Sequence, residues 1–399
     1  MPNPLEGKHI VLGVTGSIAC YKTVDLASKL VQSGALVDVV LTEAAARFVA
    51  PLTFRAITHR PVVTSLWDAQ SELSMDHVAL AKRADIVVVA PATADSLAKY
   101  AMGLADDALL ATLLATAAPV LVAPAMDANM WDAAATRENV ARLKSRGVAF
   151  AGPLPGRLAS GLTGLGRMVE PLELAGHIRA VLGRNGGLAG KKVVVSAGGT
   201  QEAIDPVRFI SNHSSGKMGY ALAEAARDRG ADVTLVSAAG LPDPVGVEVV
   251  GVRSTGEMLE AVTAACKKAD ALVMAAAVSD WRPAKTAAQK VKKQAGQETW
   301  SLELVRNPDI LATVKGRRLV KVGFAAESEA LEKHARAKLK EKGLHLIVAN
   351  DITSTDSGFG SDDNRVVIIG RDGKAERLGL MSKYDVAWRV LDRVVGLLG

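Results

Sequence analysis

Two turns and one glycine-rich stretch carry most of the possible chemistry in the first half of the sequence. In GVTGSIACYK, Gly16 and Ser17 lie between an apolar run and the start of an amphipathic one. Such a turn aims backbone N–H groups and a helix N-terminus at a phosphate. The spacing is not GxGxxG, and the next apolar run ends at Thr42 rather than at an acid. A hydroxyl there suits a monophosphate better than the ribose of a dinucleotide. VAPATADSLAKY and VAPAMDANMW both turn at a proline. They then present small and polar groups where a flat ring could lie: Thr93, Ala94 and Asp95 in one, Asp127 in the other. RLASGLTGLGRM, Arg157 to Met168, sets Ser160 among Gly161, Gly164 and Gly166. It reads as a linker, a phosphate-cradling loop or a flap over a site. His77 stands alone, and a lone histidine is more often structural than chemical.

The second half offers different groups. SAGGT is an anion-accepting turn, and in SNHSSGKMG the Ser-Ser-Gly after Asn212 can open a helix toward an anion. Lysines are dense from Lys285 to Lys293, which taken alone is a basic loop. Lys338 and Lys342 lie at helical spacing, ordinarily a solvated face.

These residues need a scaffold, and the composition supplies one. At 399 residues the chain exceeds one ordinary core, so two domains are expected. With 49% hydrophobic and 23% charged residues it is globular, and with 4% aromatics its core must be aliphatic. A net charge of +6, scattered and without an aromatic-rich basic face, argues against nucleic acid. Cys20 and Cys266 are too far apart in sequence for a disulfide framework or a metal knuckle. No signal-peptide pattern and no bilayer-length apolar run is present, so a cytoplasmic protein without membrane contact is expected.

Strand patterns (HIVLGVTG, LVDVVLT, DIVVVAPAT, APVLVAPAM, VAFAG) alternate with helical ones, from Ser17 to about Val31, at HVALAKRA, and from Asp132 to about Arg146. That alternation predicts a parallel sheet covered on both faces, with ligands at the strands' carboxyl ends. GRNGGLAG breaks the rhythm and reads as a linker near residue 186. KKVVVSAGGT, ADVTLVSA, ADALVMAAAVSD, LVKVGFAAE and LHLIVAND then restart it, and a last helix is expected from Ser382 to Leu398.

In this order, GVTGSIA, LTEAA, DHVALAKRADIVVVAPATAD and PAMDANMW resemble the FMN-dependent cysteine decarboxylase family. VSAGGTQEAIDPVRFISNHSSGKMGYALA, AAAVSDWRP, KVKKQ, LVRNPDIL, VGFAAE and VAND resemble phosphopantothenate–cysteine ligase. Decarboxylase followed by ligase is the order of the bacterial bifunctional coenzyme A enzymes, and the resemblance covers essentially the whole chain. It implies two doubly wound, Rossmann-like three-layer α/β domains. Residues 1–184 would be a flavodoxin-like flavoprotein domain and residues 188–399 a ligase domain.

The resemblance also implies roles. Gly16, Ser17, Thr42, Thr93, Ala94 and Asp95 would hold FMN, which oxidises the cysteinyl thiol carbon so that CO2 can leave. His77 matches the active-site histidine. Asn212 would stabilise an acyl-cytidylate made from phosphopantothenate and CTP with Mg2+, which cysteine's amine then attacks. Asp280, Lys290, Phe324, Lys338 and Lys342 would contact CTP, with Asn307, Pro308, Asp309, Ile310 and Leu311 near its base. Metal ligands are not assigned. By resemblance the flavin domain forms trimers and the ligase domain dimers, and a dodecameric homo-oligomer satisfies both.

Two positions depart from the family pattern. Asp127 stands where an asparagine usually holds the substrate carboxylate. Two carboxylates about 4 Å apart repel by about 1 kcal/mol in water and about 4 kcal/mol at intermediate dielectric. Either Asp127 is protonated, or another group such as Asn129 takes the carboxylate, or the repulsion promotes CO2 loss. Ser160 stands where a cysteine usually delivers the final proton. The runner-up is therefore an active ligase with a degenerate flavin domain. An NAD-dependent dehydrogenase lacks its fingerprint here, and a flavin prenyltransferase or an FMN-binding regulator leaves the second half unexplained. By its place after the last strand, RLASGLTGLGRM is expected to be a mobile substrate flap.

Overall fold

Runs of Val, Ile and Leu with no polar alternation cannot face water on either side, and here they form parallel strands covered by helices on both faces. The computed structural model describes residues 4–67, 76–292, 298–316, 318–327, 331–351 and 360–399. The chain forms two compact units, one ending at Gly183 and the other running Arg184–Gly399.

The first unit is built on a parallel sheet of β1 (His9–Val14), β2 (Leu36–Leu41), β3 (Val62–Val63), β4 (Ile86–Ala92), β5 (Val120–Pro124) and β6 (Ala149–Phe150). The strand order β3-β2-β1-β4-β5-β6 reverses between β1 and β4, which opens a crevice at their carboxyl ends. Alternate residues of each strand serve opposite faces. Ile10 and Leu12 pack with Leu26, Phe54 and Ile178 on one side. Val11 and Val89 pack with Leu97, Leu109 and Leu143 on the other.

The second unit carries an eight-stranded sheet in the order Glu248–Gly251, Asp232–Ser237, Lys192–Ala197, Ala271–Met274, Val320–Glu327, Leu346–Asp351, Val366–Gly370, Ala375–Arg377. The first six strands are parallel and the last two antiparallel. Helices Lys217–Arg227 and Lys383–Leu398 cover one face, Thr255–Cys266 and Leu331–Glu341 the other. Helix Lys217–Arg227 seats directly on the sheet. A Cβ on Gly219 would stand 2.5 Å from the Cβ of Ala197 and 2.7 Å from the carbonyl oxygen of Ser196.

Several elements differ from the sequence expectation. The first helix begins at Cys20, not Ser17, because the Ser17 hydroxyl and carbonyl accept the N–H groups of Ala19 and Cys20 at 3.3 and 3.0 Å. The helix expected over Asp132 to Arg146 is two helices, Ala128–Asp132 and Ala134–Ser145, separated by an extended Ala133. The final helix starts at Lys383, with the Ser382 hydroxyl capping it through the Asp385 N–H at 3.0 Å.

Two findings concern the glycine-rich stretches. GRNGGLAG contains the division between the two units, as expected of a linker, but its end is folded: Leu188 is fully buried in the second unit, and its N–H donates to the Arg229 carbonyl at 2.9 Å. RLASGLTGLGRM is not irregular. It supplies the end of β7 (Leu154–Arg157), a tight tip, and β8 (Thr163–Arg167), paired as an antiparallel hairpin.

Candidate active sites

At the switch point of the first sheet, the loops after β1, β2 and β4 converge. Thr15, only 1% exposed, donates its hydroxyl to the Pro91 carbonyl at 2.7 Å and accepts the Thr93 N–H at 3.1 Å. Thr42 caps the helix Glu43–Ala46 by accepting the Ala45 N–H, which leaves its own hydroxyl proton for an acceptor. Thr93 caps the helix Ala94–Met102 through the Ser96 N–H. A Cβ on Gly16 would lie 2.5 Å from that of Ala44, so glycine lets the β1 and β2 loops close on each other. Asp95 is ion-paired with Lys99 at 3.5 Å. Hydroxyls, helix starts and a glycine approach fit the monophosphate of a flavin, and these residues would hold it.

Beside this cradle lies a cleft of about 370 Å³, lined by Ser17, Lys22, Asp127, Arg157, Ser160 and Arg167 among others. Strand β8 forms one wall and presses on the loop after β5. The Met126 N–H donates to the Gly166 carbonyl at 3.0 Å. A Cβ on Gly166 would sit 2.2 Å from the Met126 carbonyl oxygen, and one on Gly164 would sit 2.6 Å from the Cβ of Ala128. These two glycines are therefore sites of close contact and not of mobility, which revises the reading of the stretch as glycine-rich for the sake of motion.

Asp127 caps the short helix Ala128–Asp132: its Oδ1 accepts the Asn129 N–H at 3.0 Å. Its Oδ2 accepts the Ser160 hydroxyl at 2.6 Å. The Ser160 hydrogen bond first, and the Asn129 N–H second, hold the carboxyl below the usual carboxylate range, so Asp127 is an ionised acceptor at neutral pH. At the back of the cleft Lys22 is 7% exposed and donates to the Met168 carbonyl at 3.0 Å and to Glu170 at 2.9 Å. His77 is partly buried on the helix Asp76–Arg83 and does not line this cleft.

In the second unit SAGGT is tied into a buried polar network. The Thr200 hydroxyl accepts the Ser279 N–H at 2.9 Å and meets the Thr255 hydroxyl at 3.1 Å. Thr255 in turn donates to Glu202 at 2.7 Å. This fixes the loop that carries Asp280. Asn212 donates to the Val278 carbonyl at 3.0 Å, which brings it to the same loop. The Asn307 N–H donates to the Asp280 carbonyl at 2.8 Å. The Asn307 amide is spent on structure, donating to Ser279 O at 2.9 Å and accepting from Arg282 at 2.9 Å. Pro308 lines a separate surface cleft with Arg208 and Arg253, while Ile310 and Leu311 are buried.

Asp309 caps Ile310–Thr313 and pairs with Lys342 at 3.0 Å. Burial alone would raise its pKa, but the Ala312 N–H and the Lys342 ammonium outweigh it and hold the carboxyl below its ordinary value. Lys338 lies one turn before Lys342, half-buried. Lys290 is exposed on a loop anchored where the Val291 N–H donates to Asp205 at 3.1 Å, and Lys293 lies outside the described residues.

A cavity of about 150 Å³ opens at the N-terminus of helix Lys217–Arg227, lined by Ser214, Ser215, Phe324, Asn350, Asn364 and Lys383 among others. It contains the Ser-Ser-Gly turn and Phe324 among the candidates from the sequence. The Asn350 Oδ1 atom is buried with no hydrogen-bond partner. Sequence reasoning missed Asn350, Asn364, Lys383 and, in the first unit, Lys22. A signal existed for both lysines. Each stands on an otherwise apolar helical stripe, Lys22 with Leu26 and Leu30, Lys383 with Val386, Ala387 and Val390. A lysine on a buried stripe needs a carbonyl, an anion or a ligand to justify it.

Residues 1–183 match the family model Flavoprotein. Residues 188–397 match the DNA/pantothenate metabolism flavoprotein C-terminal domain. The chain is 46% identical over 398 residues to the coenzyme A biosynthesis bifunctional protein CoaBC of Vibrio parahaemolyticus, covering 99% of each. It is 47% identical over 391 residues to that of Vibrio cholerae, covering 97% of this chain and 98% of the relative. Among solved structures, the C-terminal domain of a CoaBC protein is 39% identical, spans 53% of this chain and 97% of its own, and superposes with a TM-score of 0.46.

Proposed function

This chain belongs to the family of bifunctional coenzyme A biosynthesis proteins, enzymes that join a carbon–nitrogen ligase to a flavoprotein carboxy-lyase, and on that premise we propose how its residues divide the two reactions. Relatives matched over the whole length lend no support to a ligase with a disused flavin domain.

The second unit, residues 188–399, ligates cysteine to 4'-phosphopantothenate. CTP activates the carboxylate as an acyl-cytidylate, and Asn212, held against the Val278 carbonyl, faces that mixed anhydride beside Asp280. Ser214 and Ser215 at a helix start offer N–H and O–H groups to phosphate, with Phe324 as an apolar wall. Lys290, Lys338 and Lys342 supply cations for the triphosphate. Mg2+ enters with CTP. Asp280 is the carboxylate assigned to face the nucleotide or its metal. Asn307 positions the loop, and Pro308 to Leu311 shape the wall near the base.

The first unit, residues 1–184, decarboxylates the product to 4'-phosphopantetheine. FMN, when bound, supplies the reversible two-electron chemistry that makes loss of CO2 possible. Gly16, Ser17, Thr42 and Thr93 to Asp95 hold its phosphate and ring edge. The substrate's cysteinyl end enters the cleft under β7–β8, with Lys22 behind it and Asp127 and Ser160 at its mouth. The observation that carries this reading is that convergence of Ser17, Lys22, Asp127 and Ser160 beside the threonine cradle.

His77 lies away from the cleft of its own chain, which supports its serving a site shared between copies. Ile18 and Tyr21 at the cleft mouth are 59% and 63% exposed, and Phe48, Leu52 and Trp67 add further apolar surface. A homo-oligomer, trimeric through this unit and dodecameric overall, accounts for them. No helix among the described residues is long and apolar enough to cross a membrane.

The test supplies the full chain with phosphopantothenate, cysteine, CTP and Mg2+ and follows pyrophosphate and CO2 separately. Both should appear, CO2 after pyrophosphate. Pyrophosphate without CO2 would end the decarboxylase assignment.

A further inference from the structure

The hairpin over the cleft is anchored at its stem and closed at its tip by different means. The stem is held by β8 against Met126 to Ala128, where Gly164 and Gly166 allow contact that any side chain would block. The tip folds on itself: the Leu158 N–H donates to the Leu162 carbonyl at 2.8 Å, and the Gly161 N–H to the Leu158 carbonyl at 3.0 Å. Gly161 makes that turn with a φ of +86°.

Ser160 stands at the tip, and its hydroxyl reaches Asp127 Oδ2 at 2.6 Å. Asp127 Oδ1 is engaged by the Asn129 N–H. A carboxylate with both oxygens accepting is fixed in direction, and the serine proton links it to the hairpin. Among the described residues, neither has a second side-chain partner that would substitute if the other were lost.

We propose that Ser160 is a positioning residue that acts through Asp127: its hydroxyl seats the flap tip on the loop after β5, closes the cleft over the substrate, and holds the Asp127 charge at one place in it. The two departures from the family pattern are thus one coupled unit, in which a serine donor serves a carboxylate acceptor. The unit places a fixed anion beside the carboxylate that the substrate loses, so Asp127 does not bind that carboxylate, and the cations lining the same cleft, Lys22, Arg157 and the Glu170-paired Arg167, face it instead. Because Ser160 is exposed and Asp127 only partly buried, the clasp opens and reforms readily. This inference deepens the decarboxylase reading and rests on it only for its kinetic arm.

The experiment is a double-mutant cycle on the full chain with Ser160→Ala, Asp127→Ala, the double variant and Ser160→Thr. Amide hydrogen exchange at Leu158 and Gly161 reports the tip without any need for turnover. Each single variant should speed exchange there by about threefold to tenfold. The double variant should go no further, and Ser160→Thr should restore protection. With phosphopantothenoylcysteine, Ser160→Ala should raise KM more than it lowers kcat, whereas Asp127→Ala should lower kcat as well. Additive effects on exchange, or parent-like exchange in Ser160→Ala, would overturn the proposal. Absence of CO2 from every variant and from the parent would instead count against the decarboxylase reading and leave the exchange result standing on its own.

Discussion

The Thr93 N–H donates to the Thr15 hydroxyl oxygen at 3.1 Å, tying the end of β4 to the end of β1 at the point where the strand order reverses. The same hydroxyl donates to the Pro91 carbonyl, so one buried side chain satisfies both groups. Thr15→Val keeps the shape and removes both bonds. The Pro91 carbonyl still accepts the Thr15 N–H at 3.3 Å, but the Thr93 N–H is left unsatisfied, which costs about 1–3 kcal/mol. The first thermal transition should fall and flavin occupancy of the purified protein should drop, while Thr15→Ser stays close to the parent. Unchanged flavin content in Thr15→Val would refute the linkage.

Close approach at Gly166 gives a second expectation. A methyl group there would sit 2.2 Å from the Met126 carbonyl oxygen, so β8 must move off the loop that carries Asp127. Gly166→Ala should cut CO2 release at least about tenfold and leave pyrophosphate release within about twofold, since the ligase chemistry lies in the other unit. Gly251→Ala, where nothing lies within 4 Å, is the control.

The Lys342–Asp309 pair makes a pH-dependent contribution. The Asp309 pKa is depressed in the folded state, so the stability it adds is present above the ordinary carboxylate range and is lost as pH falls through the lowered value. With side chains 31% and 42% exposed, the contribution is a few tenths of a kcal/mol. Lys342→Met should move the Asp309 carboxyl titration upward, read by NMR, and should raise KM for CTP. A titration that stays in place would show that the ammonium is not the cause.

Both thiols should be unreactive in the native protein. Burial pushes Cys266 up to about 12 and raises Cys20 as well, so neither forms thiolate near pH 8. A disulfide reagent should find no fast-reacting thiol in the folded chain and both in guanidinium. Rapid native labelling would place one of them at a surface.

The division between what was legible and what was not follows the range of the interactions. Local order could be read directly: Val and Ile runs from Ile10 to Val14 and Val193 to Val195 specify buried strands, and polar or glycine turns mark their carboxyl ends. The motif order, from GVTGSIA to VAND, pointed to the family. Even the two unusual positions, Asp127 and Ser160, stood out as residue types. What they do together did not, because they are far apart in the chain and meet only when a hairpin folds back over the sheet edge. The same reason hid the role of Gly164 and Gly166, since a glycine that permits contact and one that permits motion look alike until the neighbour is known. Asn307 resembled a ligand contact and proved to be occupied by Ser279 and Arg282. Sequence determined the elements, their order and the chemistry on hand; tertiary structure decided which side chains were already committed to the protein and which remained for a substrate, because hydrogen bonds across distant segments are settled only by packing.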